Sequence, residues 1–149
     1  INNNPNEDNI ENLQRLCEHI LQPVRDHYGK VVSVSSGFRS PELCVAIGSS
    51  VNSQHASGQA ADFEIYGVSN KELADCIADN LDFDQLILEY WKPEEPNSGW
   101  VHCSYKGADN NRKEYLRAIR GSDGRTSYQK EYSEAKGPTS EDVNDSLMS

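Results

Sequence analysis

Two histidines and an aspartate carry the strongest chemical signal in this 149-residue chain. His55 stands seven positions before Asp62, with Gly58 between them, and His102 follows forty positions later. Two imidazoles and one carboxylate suit zinc, whose catalytic sites keep three protein ligands and one open position. An ion held this way lowers the pKa of a water from about 15.7 to about 7 and polarises a carbonyl. A neighbouring carboxylate can then take the proton and pass it to a leaving amine. Glu89 is the candidate for that base. Glu94 and Glu95 are nearer to His102 in sequence, but they fall in a proline-bounded loop with no strand phase to aim them.

These residues need strands to bring them together. Side chains alternate across a strand. Over residues 60–66, Ala61, Phe63 and Ile65 share one face, and Ala60, Asp62 and Glu64 share the other. Over 84–90, Leu86 and Leu88 oppose Gln85, Ile87 and Glu89. Over 100–105, Val101, Cys103 and Tyr105 oppose Trp100, His102 and Ser104. Charged groups at the centre of apolar strands are costly unless paired or bound to a metal. With the three strands side by side, Asp62, Glu89 and His102 converge on one open sheet face. His55 sits at the mouth of that face, Gly58 lets its loop turn tightly, and Ala60 and Ala61 leave room.

The remaining pattern supplies the scaffold. Ile10, Leu13, Cys17, Ile20 and Val24 form an apolar stripe that predicts a helix from about Asp8 to Tyr28, with a kink at Pro23 and a stop at Gly29. Val31–Ser36 reads as a strand. Ser40-Pro41 opens a short helix reaching Ile47. Ser69 and Glu72 form a capping box, with Val68 and Leu73 as its staple, for a helix over Asn70–Asn80. Tyr115–Ile119 reads as a last strand. The strands flanking the Lys92–Gly99 loop are joined too tightly for a crossover, so they pair antiparallel. The fold class expected is α+β: a mostly antiparallel sheet with helices on one face and the metal site on the other. Residues 1–120 form the domain, and residues 121–149 form a polar, partly mobile tail whose Tyr128 and Tyr132 dock back on the body.

Composition narrows the partners. The net charge is −10, and no basic cluster exceeds Asn111-Arg112-Lys113, which excludes nucleic acid as the expected partner. No apolar run is long enough to cross a bilayer. The four cysteines include no C-x-x-C pair, which argues against a structural zinc knuckle. Cys17, Cys76 and Cys103 fall on apolar faces and are expected as buried free thiols, with one or two disulfides left open.

The motifs also resemble a known family. Ser53-Gln54-His55-Ala56-Ser57-Gly58-Gln59-Ala60-Ala61-Asp62 resembles S-x-H-x-x-G-x-A-x-D. Trp100-Val101-His102-Cys103-Ser104 resembles W-x-H-x-S, and Ser36-Gly37-Phe38-Arg39-Ser40 resembles S-G-[FY]-R-S. These are marks of the zinc D-alanyl-D-alanine carboxypeptidases, which include many bacteriophage cell-wall peptidases and share a fold with the hedgehog signalling domain. The resemblance runs from about Asn9 to Ile119. It implies zinc on His55, Asp62 and His102, Glu89 as general base, and Arg39 on a substrate carboxylate or the scissile carbonyl. It also implies a lesser substrate-binding role for Ser53. Glu89 stands thirteen positions before His102, further than in other members, and the Lys92–Gly99 loop accounts for the gap.

The function expected from this resemblance is hydrolysis of peptidoglycan stem peptides by a monomeric D,D-carboxypeptidase. Its site of action would be the bacterial cell wall or periplasm. No signal peptide is visible, but the chain opens at Ile1 rather than Met, so a leader missing upstream, phage-encoded release by lysis and virion delivery all stay open as routes to the wall. Two rivals use the same ligands. One is an endopeptidase, or endolysin, with a different groove. The other is a non-catalytic zinc-stabilised binding domain, which would need neither Glu89 nor Arg39.

Overall fold

Antiparallel pairing between the strand of Asp62 and the strand of His102 organises the molecule. The computed structural model describes residues 1–50 and 52–137. The sheet contains β1 (Ser33–Ser36), β2 (Ala60–Glu64), β3 (Gln85–Glu89), β4 (Trp100–Ser104), β5 (Glu114–Arg120) and β6 (Thr126–Lys130). Their spatial order is β1-β2-β4-β3-β5-β6. Every neighbouring pair is antiparallel except β3 and β5. The class is therefore α+β with a mostly antiparallel sheet, as the sequence predicts.

The helices are α1 (Glu7–Leu16), α2 (Gln22–Tyr28), α3 (Pro41–Ala46) and α4 (Asn70–Asn80). Leu16, Ile20 and Val24 join Leu73 and Ile77 of α4 in one core against Phe63, Leu86, Leu88 and Val101. These sheet residues all share the face opposite Asp62, His102 and Glu89. The period-two pattern therefore divides the sheet into a dry face and a chemical face. Helix entries follow the predicted caps. Ser40 Oγ accepts from the Leu43 amide at 3.1 Å, and Ser69 Oγ accepts from the Glu72 amide at 3.1 Å.

Four details depart from expectation. The first helix is interrupted just before Pro23, where it widens into a π turn over Cys17–Leu21. Proline lacks an N–H and crowds the carbonyl four residues back, and a wider turn relieves that crowding. The turn also shifts the helix face, so Cys17 is exposed and the buried stripe runs through Leu16 instead. Cys76 is only half-buried, whereas Cys44 and Cys103 are buried, and all four thiols are free. Strand β1 begins at Ser33 rather than Val31, and Val34 is largely exposed.

The fourth departure concerns the tail. The sheet does not end at Arg120, because β6 pairs with β5 from Leu116–Lys130 to Arg120–Thr126. A polar segment can form this strand because it is an edge: backbone pairing holds it, and most of its side chains face water. Beyond it, Glu131 pairs with Arg117 and Lys71, and the Tyr132 carbonyl accepts from Lys71 Nζ at 2.7 Å. The segment 121–137 is thus tied to the domain, while the acidic stretch from Glu141 lies outside the described residues. No helix among the described residues is long and apolar enough to cross a membrane.

Candidate metal centre and its groove

Register sets the site. Asp62 on β2 lies opposite His102 on β4, and His102 lies opposite Ile87 on β3. One step along, Glu89 on β3 faces Trp100 on β4. Asp62, His102 and Glu89 therefore occupy adjacent rungs of one face.

His55 reaches the same point from the loop before β2. It is 2% exposed, deeper than the open mouth the sequence suggests. Two segments hold it. Its Nδ1 bonds the Gly37 carbonyl at 2.8 Å, and its own carbonyl accepts from the Arg39 amide at 3.0 Å. A carbonyl can only accept, so Nδ1 carries the proton and Nε2 presents a lone pair to the site. Strand β1 makes this possible. Its register slips between Val34 and Ser36, beside Asp62, and the Gly37–Ser40 segment leaves the sheet there to cross over His55.

The loop itself is fixed from behind. Gly58 has φ +79°, and a Cβ there would meet the Asn9 carbonyl oxygen at 2.6 Å. Only glycine allows this approach to α1, where Asn12 Nδ2 donates to the Ser57 carbonyl at 2.9 Å. Gln54 Nε2 donates to Asp84 at 2.7 Å, joining the loop to the start of β3. Asp84 is fully buried. Burial pushes its carboxyl up, but hydrogen bonds from Arg112 and Gln54 outweigh that and bring it down to about 2.

The three candidate ligands fit an ion. Their donor atoms all lie within 4.8 Å of one another. His55 Nε2 is 3.4 Å and His102 Nδ1 is 2.9 Å from the same oxygen, Asp62 Oδ1. Ligands about 2.0–2.1 Å from a tetrahedral zinc would lie about 3.3–3.4 Å apart. The two distances to Asp62 Oδ1 are within about half an ångström of that spacing. Burial raises the Asp62 carboxyl, but hydrogen bonds from His102 and His55 overcome it and hold the group well below the usual range. It is ionised, as a ligand must be.

Glu89 is tuned the other way. Burial, reinforced by the Asp62 charge and only partly offset by His55, raises its carboxyl to about 7. Gly99 shapes its surroundings. Gly99 has φ +68°, and a Cβ there would land on the Glu89 carbonyl oxygen.

Arg39, Ser53, His55, Asp62, Glu89 and His102 all line one groove of about 1210 Å³. Ser53 is also a support, since its Oγ accepts from the His55 amide at 3.2 Å. Among the described residues, Arg39 Nε and Trp100 Nε1 are buried donors with no acceptor. Sequence reasoning missed the Gly37 carbonyl, which has no side-chain signature, and the Gln54–Asp84–Arg112 brace. It also missed the far wall, to which Arg120 and Tyr128 contribute. The strand phase of 114–120 could have revealed Arg120.

A family model described as Peptidase M15 matches residues 2–104. That span includes all six groove residues named from the sequence and ends with β4. No curated protein matches the chain.

Proposed function

This chain belongs to the peptidase M15 family, and from that premise we propose that it is a zinc-dependent peptidase of peptidoglycan stem peptides, cutting a D-alanyl bond as a D,D-carboxypeptidase. The observation that carries this reading is the meeting of three ligand atoms within 4.8 Å beside the half-buried carboxyl of Glu89 on the same sheet face. His55, Asp62 and His102 would hold the metal. Zinc, when bound, supplies an activated water and a polarised carbonyl. Glu89 would take the proton from the water and deliver it to the leaving amine, a role its place on the same sheet face as Asp62 and His102 suits. Arg39 offers its guanidinium to the substrate, and Ser53 keeps the His55 backbone in place while facing the groove.

The charged brace and the buried histidine serve one purpose, which is to fix the donors before substrate arrives. Preorganised groups lose no reorganisation energy during the reaction. Action at the cell wall follows from the substrate.

A second reading, endopeptidase, draws support from the groove. Past Tyr90, Trp100 and Arg120 it adjoins another hollow of about 680 Å³. Together they exceed the roughly 300–1,000 Å³ of a typical small-ligand pocket. Metal analysis joined to mass spectrometry of digested peptidoglycan tests both. Free D-alanine supports the carboxypeptidase, and larger released fragments support the endopeptidase. A zinc-loaded protein that releases neither sinks the proposal.

A further inference from the structure

The chemical face of the sheet does not stop at Glu89. Ala118 on β5 pairs with Glu89, and Tyr128 on β6 pairs with Ala118. Two residues beyond Ala118, and so on the same face, stands Arg120, paired with Thr126. Arg120 and Tyr128 both line the groove, and both lie outside residues 2–104. We propose that Arg120, seconded by Tyr128, forms a subsite for a carboxylate on the part of the peptide that leaves, which rests on the peptidase reading above.

Three observations carry this. Arg120 is held open for a ligand. Its guanidinium lies 4.9 Å from the centre of the Tyr90 ring, and Tyr90 Oη is bonded to Thr126 Oγ1 at 2.6 Å. Stacking orients the planar fork while leaving its edge free to grip a carboxylate with two parallel bonds. Among the described residues, Arg120 has no carboxylate within ion-pair distance, whereas Arg112 and Arg117 are each engaged by an acid.

The second observation is charge. The chain carries −10, which opposes an acidic ligand. Against that, the groove sets Arg39, Lys106, Arg112 and Arg120 beside Asp62 and Glu89, and among the described residues Arg112 is the one of these four cations paired with an acid. By register Lys106 and Arg112 lie toward the Asp84 end of the sheet, and Arg120 is the cation at the Glu89 end, where the carboxylate would lie.

The third is direction. Glu89 sits between the ligand strand β4 and the hairpin β5–β6. It protonates the leaving amine, so the departing fragment lies on the hairpin side. Strand β5 is two strand spacings, about 10 Å, from β4. That is the reach of about three residues of extended peptide. The favoured substrate therefore carries a free carboxylate within about three residues after the bond cut.

Two stem peptides that differ only in a free or amidated carboxylate on the leaving fragment provide the test. The wild-type protein should prefer the free acid in kcat/KM by about 10- to 100-fold, the range of a charge-assisted contact. Arg120→Gln should abolish that preference through KM, with kcat kept. Arg120→Lys should restore part of it, and Tyr128→Phe should reduce it only a few-fold. An Arg120→Gln protein that discriminates like wild type overturns the subsite. Calorimetric binding of the same peptides to Glu89→Gln protein, with and without Arg120→Gln, reads the contrast without chemistry. Discrimination in binding but no cleavage by wild type would uphold the subsite and refute the peptidase. Equal binding of both peptides, or of neither, would refute the subsite.

Discussion

Glu89→Gln keeps the shape of the side chain and removes its charge, and its effects on stability and on catalysis should run in opposite directions. In the metal-free protein the Glu89 carboxyl is raised from the ordinary 4.5 to about 7, chiefly by burial. Between those values the folded state binds more protons than the unfolded state. Stability therefore falls as pH rises from 4.5 to 7, and is flat above. At about 1.36 kcal/mol per pH unit the loss is about 3 kcal/mol. Glu89 is partly open to solvent, and screening reduces this to about 2 kcal/mol. Asp62 acts with the opposite sign. Its carboxyl is lowered, so its contribution is complete above its ordinary 3.8 and is lost only in more acid solution. The window from pH 4.5 to 8 thus reports on Glu89. Glutamine should remove the slope and leave the apo variant about 4–8 °C more heat-stable than wild type at pH 8. The same change should lower zinc-dependent hydrolysis by about 10²–10⁴-fold. Thermal melts in chelator across this window, paired with stem-peptide assays on the zinc form, measure both. A variant whose melting temperature follows the wild-type pH profile, or one that hydrolyses at full rate with zinc bound, would refute the reasoning.

His55→Ala should reduce bound zinc from one per chain to none by metal analysis. It should also erase the stabilisation that zinc gives the wild type, about 2.7 kcal/mol at a hundredfold excess over Kd. Gly99→Ala should cost at least about 1–2 kcal/mol, since it forces a side chain into left-handed backbone and onto the Glu89 carbonyl. Its kcat should fall while zinc content stays at one, as metal analysis and kinetics on the same sample would reveal. Arg112→Ala should destabilise by about 2 kcal/mol in denaturant melts, because it leaves the buried Asp84 carboxylate with Gln54 and backbone as its partners.

The chemical face was legible because period-two alternation is a local signal. Asp62, His102 and Glu89 each stand out of phase with apolar neighbours, and register then brings them together. The caps at Ser40 and Ser69 were legible for the same reason. Backbone partners were not. The Gly37 carbonyl orients His55, yet any residue could supply a carbonyl. The depth of His55 was equally hidden, since it depends on where the β1 irregularity sends the following segment. The π turn before Pro23 reflects packing as well as proline, so the helix face that resulted exposed Cys17 against the pattern.

The hairpin shows why a polar tail can be structural. Strand β6 buries almost nothing and gives no hydrophobic pattern to read. What specifies it is β5, which presents an open edge, and the acid Glu131, which reaches Arg117 and Lys71. An edge strand free of core duty can vary in side chain without loss of fold, because its backbone bonds do the holding. Such a strand suits a substrate wall. On the proposed reading, Asp62, His102 and Glu89 on central strands, and His55 in the loop braced before β2, must stay fixed for chemistry. The wall carrying Tyr128, and the neighbouring Arg120, can change with the peptide to be recognised. On the proposed reading, the metal-binding and proton-transfer residues lie within residues 2–104, matched by the family model, and the substrate wall lies in the strands that follow.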